Sequence, residues 1–80
     1  MLNNLTNIEF ENEKVERKVV DKIRETGEFH FFTYLNGELS YIWIFEENGE
    51  YYFRIEDEYE NLIFYPHQIL IKESHLRQYW

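Results

Sequence analysis

Carboxylates and aromatic rings dominate the middle of this sequence, and they are the groups through which it could bind another molecule. Residues 28–60 contain nine acidic residues against a single base, Arg54, while Phe, Tyr and Trp occupy about every third position. Surfaces that only keep a protein soluble usually mix both signs of charge. The pattern therefore favours binding to a positively charged protein. The acidic residues are Glu28, Glu38, Glu46, Glu47, Glu50, Glu56, Asp57, Glu58 and Glu60.

The combination of acids and rings is typical of a nucleic-acid mimic. Carboxylates along an edge can replace phosphates, and rings beside them can occupy the space of bases or stack on arginine. A nucleic-acid-binding protein offers the complementary basic groove. The alternative is that the acids only solvate turns and prevent edge pairing between sheets. The residues predicted to contact a partner are Glu46, Glu47, Glu50, Glu56, Asp57, Glu58, Glu60, Tyr41, Trp43 and Tyr52.

Catalytic chemistry finds little support in the sequence. His30, His67 and His75 lack the spacing of metal ligands, and His30 belongs to a separate predicted strand. Adjacent acids such as Glu46 and Glu47 fall in predicted turns, without the burial that separates the pKa values of a catalytic pair. Phosphate-binding and nucleophile motifs are missing from the sequence. We therefore predict no enzymatic activity, no metal and no cofactor.

Composition sets the outer limits of the prediction. With 80 residues, 44% hydrophobic and 20% aromatic, the chain is expected to form one domain over residues 1–80. The net charge of −8 disfavours direct contact with nucleic acid or anionic lipid. The sequence contains no cysteine and no long apolar run, and its first residues do not predict a signal peptide, so a cytoplasmic location is expected.

One amphipathic helix is predicted before the acidic region. Apolar residues recur at helical spacing within residues 12–26, and charged residues cover the other faces. The start is predicted near Asn7 or at Asn12, and the end at Thr26, with Gly27 as the C-cap. The apolar stripe consists of Val15, Val19, Val20 and Ile23.

Two β-turns follow the helix. Asn36-Gly37 and Asn48-Gly49 lie between β-prone residues, and this dipeptide strongly favours the type I′ turn of a two-residue hairpin. Three antiparallel strands are predicted, at about 28–35, 38–47 and 50–56. Two-residue loops would fix the register and assign every side chain to one face.

That register predicts two different faces. The inner face is apolar and matches the valine stripe of the helix, while the other face is rich in rings with polar tips. The inner residues are Phe29, Phe31, Ile42, Ile44, Phe53 and Ile55, with Leu35 nearby. The other face, called the aromatic face below, consists of His30, Phe32, Tyr34, Leu39, Tyr41, Trp43, Phe45, Tyr52, Arg54 and Glu56.

The C-terminal part is less defined. Residues 62–65 are predicted to form a fourth strand that ends at Pro66, and residues 69–71 a short strand or a helical turn. Residues 74–80 are predicted to be a short helix or a frayed end. The fold class is therefore α+β, with an N-terminal helix on one face of a three- or four-stranded antiparallel meander, followed by a short strand or helix.

The register also gathers the acids at the two ends of the sheet, roughly 26 Å apart at about 3.3 Å per residue. The first acidic pole is Glu28, Glu46, Glu47 and Glu50. The second acidic pole is Glu38, Glu56, Asp57, Glu58 and Glu60.

Three roles are open for the rings between the poles. Tyr41, Trp43 and Tyr52 could anchor a partner, form a second small core under residues 62–80, or be hidden in a symmetric homodimer.

In profile, this small, acidic, aromatic-rich and cysteine-free chain is similar to phage-encoded inhibitors of bacterial defence, including anti-CRISPR and anti-restriction proteins. It is equally similar to immunity proteins and antitoxins that neutralise nucleases. The resemblance implies a stoichiometric inhibitor of a basic nucleic-acid enzyme, and the acids and rings favour inhibition by DNA or RNA mimicry. A self-associating adaptor without inhibitory function is the third hypothesis.

Overall fold

The computed structural model describes Leu5, residues 7–63 and residues 68–79. Within that part of the chain, an N-terminal helix packs against a three-stranded antiparallel sheet, and a short strand and a short helix follow. The predicted α+β class is confirmed. The elements are β1 (Ile8–Phe10), α1 (Glu13–Thr26), β2 (Glu28–Leu35), β3 (Glu38–Glu47), β4 (Glu50–Asp57), β5 (Ile69–Ile71), α2 (Glu73–Leu76) and a 3₁₀ turn (Arg77–Tyr79).

Helix α1 has a defined cap at each end. The side-chain oxygen of Asn12 accepts a hydrogen bond from the backbone N–H of Val15 at 3.0 Å. At the other end, Gly27 takes the left-handed conformation with φ 90° and donates its N–H to the carbonyl of residue 23. The predicted start at Asn12 is confirmed. The alternative start near Asn7 is wrong, because β1 occupies the positions that follow it.

Both Asn-Gly dipeptides form the predicted two-residue turns. Their four residues all have positive φ, between 51° and 81°, as the type I′ turn requires. The predicted register is confirmed, since Phe31 lies opposite Ile42 and Ile42 lies opposite Ile55. Strand β4 continues one residue beyond the predicted end, to Asp57.

The core lies between α1 and the inner face of the sheet, as predicted. Val19, Ile42 and Ile44 are completely buried, and the half-buried Phe53 packs against the cluster. Burial of this apolar layer is the main term that holds the helix on the sheet. The buried apolar side chains of α1 and the meander are Val15, Val19, Val20, Ile23, Phe29, Phe31, Ile42, Ile44 and Ile55.

A second, two-stranded sheet joins the two ends of the described chain. Strands β1 and β5 are parallel, with Ile8 opposite Ile69 and Phe10 opposite Ile71. The pairing gives β1 the backbone partners that helix formation would otherwise supply. It also selects the strand for residues 69–71, one of the two structures predicted for them.

The predicted fourth strand is present only as a short contact within the described residues. Leu62 forms an isolated antiparallel bridge with Glu56, and the Ile63 N–H donates to the Ile55 carbonyl at 2.9 Å. Residues 64–67, including the predicted end of that strand, lie outside the described residues. The contact covers part of the outer edge of β4.

The outer edge of β2 is closed by a side chain from the C-terminal turn. The Phe32 N–H donates to Oε1 of Gln78, and Nε2 of Gln78 donates to the Phe32 carbonyl, each at 3.0 Å. The amide thus takes the place of a neighbouring strand at this position. Edge strands without such cover are templates for pairing with another chain.

Replacing Gln78 with alanine is expected to increase self-association, because both backbone groups of Phe32 become available to β2 of a second copy. Sedimentation velocity over a concentration series measures the effect. Arg77→Ala, a change at the exposed neighbouring position, is the control and should match the wild type. An unchanged sedimentation profile for Gln78→Ala would contradict an edge-closing role.

Candidate protein-binding surface

The aromatic face lies on the side of the sheet opposite to α1. The C-terminal elements pack on the α1 side, since Ile69, Ile71 and Leu76 belong to the buried cluster that contains the helix. The prediction that residues 62–80 form a second core on the aromatic face is therefore wrong for β5 and α2. Phe64 and Trp80, which were part of that prediction, lie outside the described residues.

Several rings of the aromatic face are exposed. The exposed fraction is 49% for Phe32, 70% for Tyr34 and 40% for Tyr52. Of the three rings predicted to contact a partner, Tyr52 is thus directly accessible, while Tyr41 and Trp43 are half-buried. Exposed rings that adjoin one another mark an interaction surface more often than isolated ones do.

Ring contacts hold the aromatic face together. The rings of Phe45 and Tyr52 stack with their centroids 5.6 Å apart and 28° between their planes. The Tyr41 ring lies 6.3 Å from both Phe32 and Trp43. Neighbouring rings therefore bury one another's edges and restrict one another's rotamers, which lowers the entropy that a partner must remove on binding.

The Arg54 side chain binds two other residues of the aromatic face. Its guanidinium carbon lies 5.2 Å from the centroid of the Trp43 ring, and its Nε lies 2.9 Å from Oε2 of Glu56. The Glu56 side chain is only 14% exposed. The charge of Glu56 is compensated inside the chain, so this predicted contact residue is poorly available to a partner.

Asp57, another predicted contact residue, builds the loop after β4. Its Oδ1 accepts the backbone N–H groups of Tyr59 and Asn61, each at 2.9 Å, and its Oδ2 accepts the Asn61 amide at 3.3 Å. The backbone hydrogen bond from Asn61 is the main reason that the pKa of Asp57 lies below its usual value. Glu58 and Glu60, by contrast, are exposed in the loop.

The first acidic pole is divided between the two faces. Glu47 and Glu50 are directly opposite each other in the ladder, and strand alternation places both on the aromatic face. Glu46 lies on the other face, opposite Tyr51, and its Oε1 accepts the backbone N–H of Gly49 at 3.2 Å. Only two of the three predicted contact acids in this pole therefore adjoin the rings.

Tyr52 connects the exposed rings to the first acidic pole. Its hydroxyl donates to Oε2 of Glu50 at 2.7 Å. This hydrogen bond raises the pKa of Tyr52, with further contributions from desolvation and from the negative charges of Glu50 and Glu47. The hydroxyl thus experiences the negative field of both carboxylates.

Two residues outside the predicted contact set lie at the same end of the sheet as Tyr52 and the first acidic pole. Phe45 forms the ring stack with Tyr52, and Glu28 is the cross-strand neighbour of Phe45 on β2. The carboxylate of Glu28 lies 3.2 Å from Nδ1 of His30. The predicted register already placed both residues at this end of the sheet, and was the signal that could have identified them.

Replacing Glu47 with lysine is expected to stabilise the fold by about 0.5 kcal/mol, because it exchanges a like-charge cross-strand pair for an attractive one. Urea denaturation at low ionic strength measures the free energy of unfolding. Glu47→Gln should increase the free energy of unfolding by less, and added salt should reduce the increase in both variants. A loss of stability in Glu47→Lys would show that Glu47 and Glu50 do not repel each other.

The side chain of His75 packs within the fold and stabilises α2. Its ring stacks on Phe31 with the centroids 4.6 Å apart, and its Nδ1 accepts the backbone N–H of Lys72 at 3.0 Å. Burial, followed by the positive charge of Lys72, lowers the pKa of His75, against an opposing contribution from Glu11. Among the described residues, no group of three or more His, Asp or Glu side chains is arranged to hold a metal ion.

Stability is expected to fall on acidification because of His75. A histidine whose pKa is lower in the folded state contributes its full stability above its unfolded pKa of about 6.5, and loses it as the pH falls through the folded value. Protonation also abolishes the acceptor at Nδ1. Urea unfolding of the wild type and His75→Gln between pH 7.5 and pH 5 measures this, and the variant should lose less stability. Equal losses of stability in the two proteins would contradict the assignment of this pH dependence to His75.

The chain matches no family model, no curated protein and no solved structure. Within the described residues, no helix is both long and apolar enough to span a membrane. The geometry of the surface is therefore the basis for assigning a function.

Proposed function

We propose that this protein binds a basic nucleic-acid-processing protein and inhibits it by occupying its nucleic-acid site. The observation that carries the proposal is the position of the exposed rings and acids. The exposed rings share a face of the sheet with Glu47 and Glu50, and α1, β5 and α2 all pack on the other side. A partner can therefore approach this face without displacing those elements.

The contacts of the surface refine the predicted set. Glu47, Glu50 and Tyr52 adjoin one another at one end of the face, and Glu58 and Glu60 are exposed at the other end. These residues are proposed to make the direct contacts. Three other acids already bind groups of the chain itself and contribute mainly to the negative field. These are Glu46, Glu56 and Asp57.

The two kinds of side chain have different effects on binding. The negative poles attract a basic groove over a distance and speed association, in a manner that salt weakens. The rings exclude water once the complex has formed and slow its dissociation. A groove selected for affinity to a polyanion offers the matching charge.

The test begins with the immobilised chain and a nuclease-treated bacterial lysate. Capture of a basic nucleic-acid-binding protein supplies a defined partner, which is then purified and studied with the full chain. The proposal expects a duplex or single strand to compete with the chain for this partner, and affinity to fall steeply as salt increases. Binding that is insensitive to both salt and nucleic acid, but is abolished by Trp43→Ala, would overturn mimicry.

The class of target divides the proposal into two forms. A defence nuclease or its effector complex would make the chain an anti-CRISPR or anti-restriction inhibitor, whereas a nuclease toxin would make it an immunity protein or antitoxin. The same surface serves both, and the identity of the captured partner decides between them.

Self-association is a second candidate function, favoured by two exposed rings along the edge strand β2. Phe32 and Tyr34 both lie on this strand. A salt-resistant dimer of the pure wild-type protein, in which these rings are protected from solvent, would favour an adaptor over an inhibitor.

A further inference from the structure

The aromatic face already contains one bound guanidinium. Arg54 lies over the Trp43 ring at 5.2 Å, and the carboxylate of Glu56 holds it at 2.9 Å. Ring and carboxylate are the two groups that bind a guanidinium together, one through its flat face and the other through its N–H donors. These two adjacent cross-strand rows, Trp43–Arg54 and Tyr41–Glu56, show how the face accommodates arginine.

The next two cross-strand rows on this face, Phe45–Tyr52 and Glu47–Glu50, supply the same kinds of group, rings and carboxylates. Phe45 and Tyr52 form a ring stack, and Tyr52 is 40% exposed. The carboxylate of Glu50 is anchored to the Tyr52 hydroxyl at 2.7 Å. Glu47 completes the arrangement, because it lies directly opposite Glu50.

The opposition of the two carboxylates also favours a cation between them. Like charges directly opposite each other in a ladder are destabilising, and a cation placed between Glu47 and Glu50 would remove that repulsion. Arg54 is the only base in the sequence from residue 28 to residue 60, and it is engaged by Glu56. Within the described residues, no base forms a salt bridge with Glu47 or Glu50, which leaves this pair available to a cation of another molecule.

We propose that Phe45, Tyr52, Glu47 and Glu50 form a subsite for an arginine side chain of the partner. The inference rests on the proposed function and specifies its chemistry. The guanidinium plane stacks on the exposed face of the Tyr52 ring while its N–H groups donate to the two carboxylates. An adjoining groove of about 560 Å³, lined in part by Tyr52 and the exposed Leu62, accommodates the aliphatic stem.

Arginine is favoured over lysine for a geometric reason. A guanidinium is planar, stacks on rings and presents several N–H donors in a fixed fork, whereas an ammonium is a compact and strongly hydrated point charge. The acids alone would attract both. The ratio of the affinities for arginine and lysine therefore measures the contribution of the Tyr52 ring. The affinity for either base measures the contribution of the first acidic pole.

The experiment compares an oligo-arginine peptide with an oligo-lysine peptide of equal length, by calorimetric titration into the full chain. The wild type is expected to bind the arginine peptide roughly fivefold more tightly, the scale of one exposed stacking contact. Tyr52→Ala should remove this preference, and Tyr52→Phe should retain most of it. Tyr59→Ala, which removes an exposed ring in the loop after β4, is the matched control and should leave the preference unchanged.

The outcomes separate this inference from the proposed function. Equal affinity of the wild type for both peptides would overturn the arginine subsite and leave a charge-driven interaction with a basic partner intact. A preference that persists in Tyr52→Ala would also overturn it, because arginine would then be recognised elsewhere. Failure of both peptides to bind would overturn the subsite and count against the proposed function as well.

Discussion

Replacing both Glu47 and Glu50 with lysine is expected to weaken binding to the proposed basic partner by roughly 100-fold. Both carboxylates adjoin the exposed ring of Tyr52, so the change turns attraction into repulsion where the partner is closest. Surface plasmon resonance with the purified partner measures the effect. The loss should include slower association, because steering depends on this charge.

A matched double variant tests whether location or total charge is responsible. Asp21→Lys with Glu25→Lys changes the net charge by the same amount at two exposed positions of α1, on the opposite side of the sheet. This control is expected to lose much less affinity than the double variant at Glu47 and Glu50. Equal losses in the two variants would mean that net charge alone drives association, which contradicts a defined contact surface.

The free energy of unfolding is expected to fall by about 3 kcal/mol when Ile42 is replaced with alanine, within the range for such deletions in a core. Ile42 is completely buried. It lies on the central strand of the meander, between Phe31 and Ile55. The lost methyl groups leave a cavity that its neighbours can fill only partly. Urea denaturation monitored by tryptophan fluorescence gives the value.

A smaller deletion at a neighbouring buried position calibrates this result. Ile44→Val removes one methylene from another completely buried side chain and should cost about 1 kcal/mol. The two losses should therefore differ clearly. A cost for Ile42→Ala no larger than that of Ile44→Val would mean that the core can close around the deletion and is less tightly packed than the burial indicates.

Local signals made the meander predictable from the sequence. An Asn-Gly dipeptide supplies two residues that tolerate positive φ, so Asn36 and Asn48 determine where the chain reverses. With two-residue loops, side-chain alternation then determines which residues face the helix. Gly27 marked the end of α1 for a similar reason, because only a residue that tolerates the left-handed conformation suits that position.

Non-local contacts were not predictable in the same way. β1 and β5 have three residues each, too few for periodicity to distinguish strand from helix. Each is a strand because the other is beside it. The amide of Gln78 reaches the edge of β2 from a segment distant in sequence, and no local pattern encodes that contact.

The aromatic face was predicted from the sequence, but the availability of the acids beside it was not. Sequence placed Arg54 and Trp43 on the same face, where the structure pairs them, yet it did not reveal that Glu56 would bind the arginine. The loop that uses Asp57 as an acceptor depends on backbone geometry around Asn61. Glu46 is different, since strand alternation alone already placed it on the face opposite to the rings.

The parallel pairing of β1 with β5 also orders events on the ribosome. Residues 8–10 leave the exit tunnel early, but residues 69–71, with which they pair, are synthesised much later. The two hairpins need only nearby residues and can close in microseconds once they emerge, whereas β1 must wait until residues 69–71 have also left the tunnel. We therefore expect the nascent chain to complete its meander first and to recruit its earliest strand last.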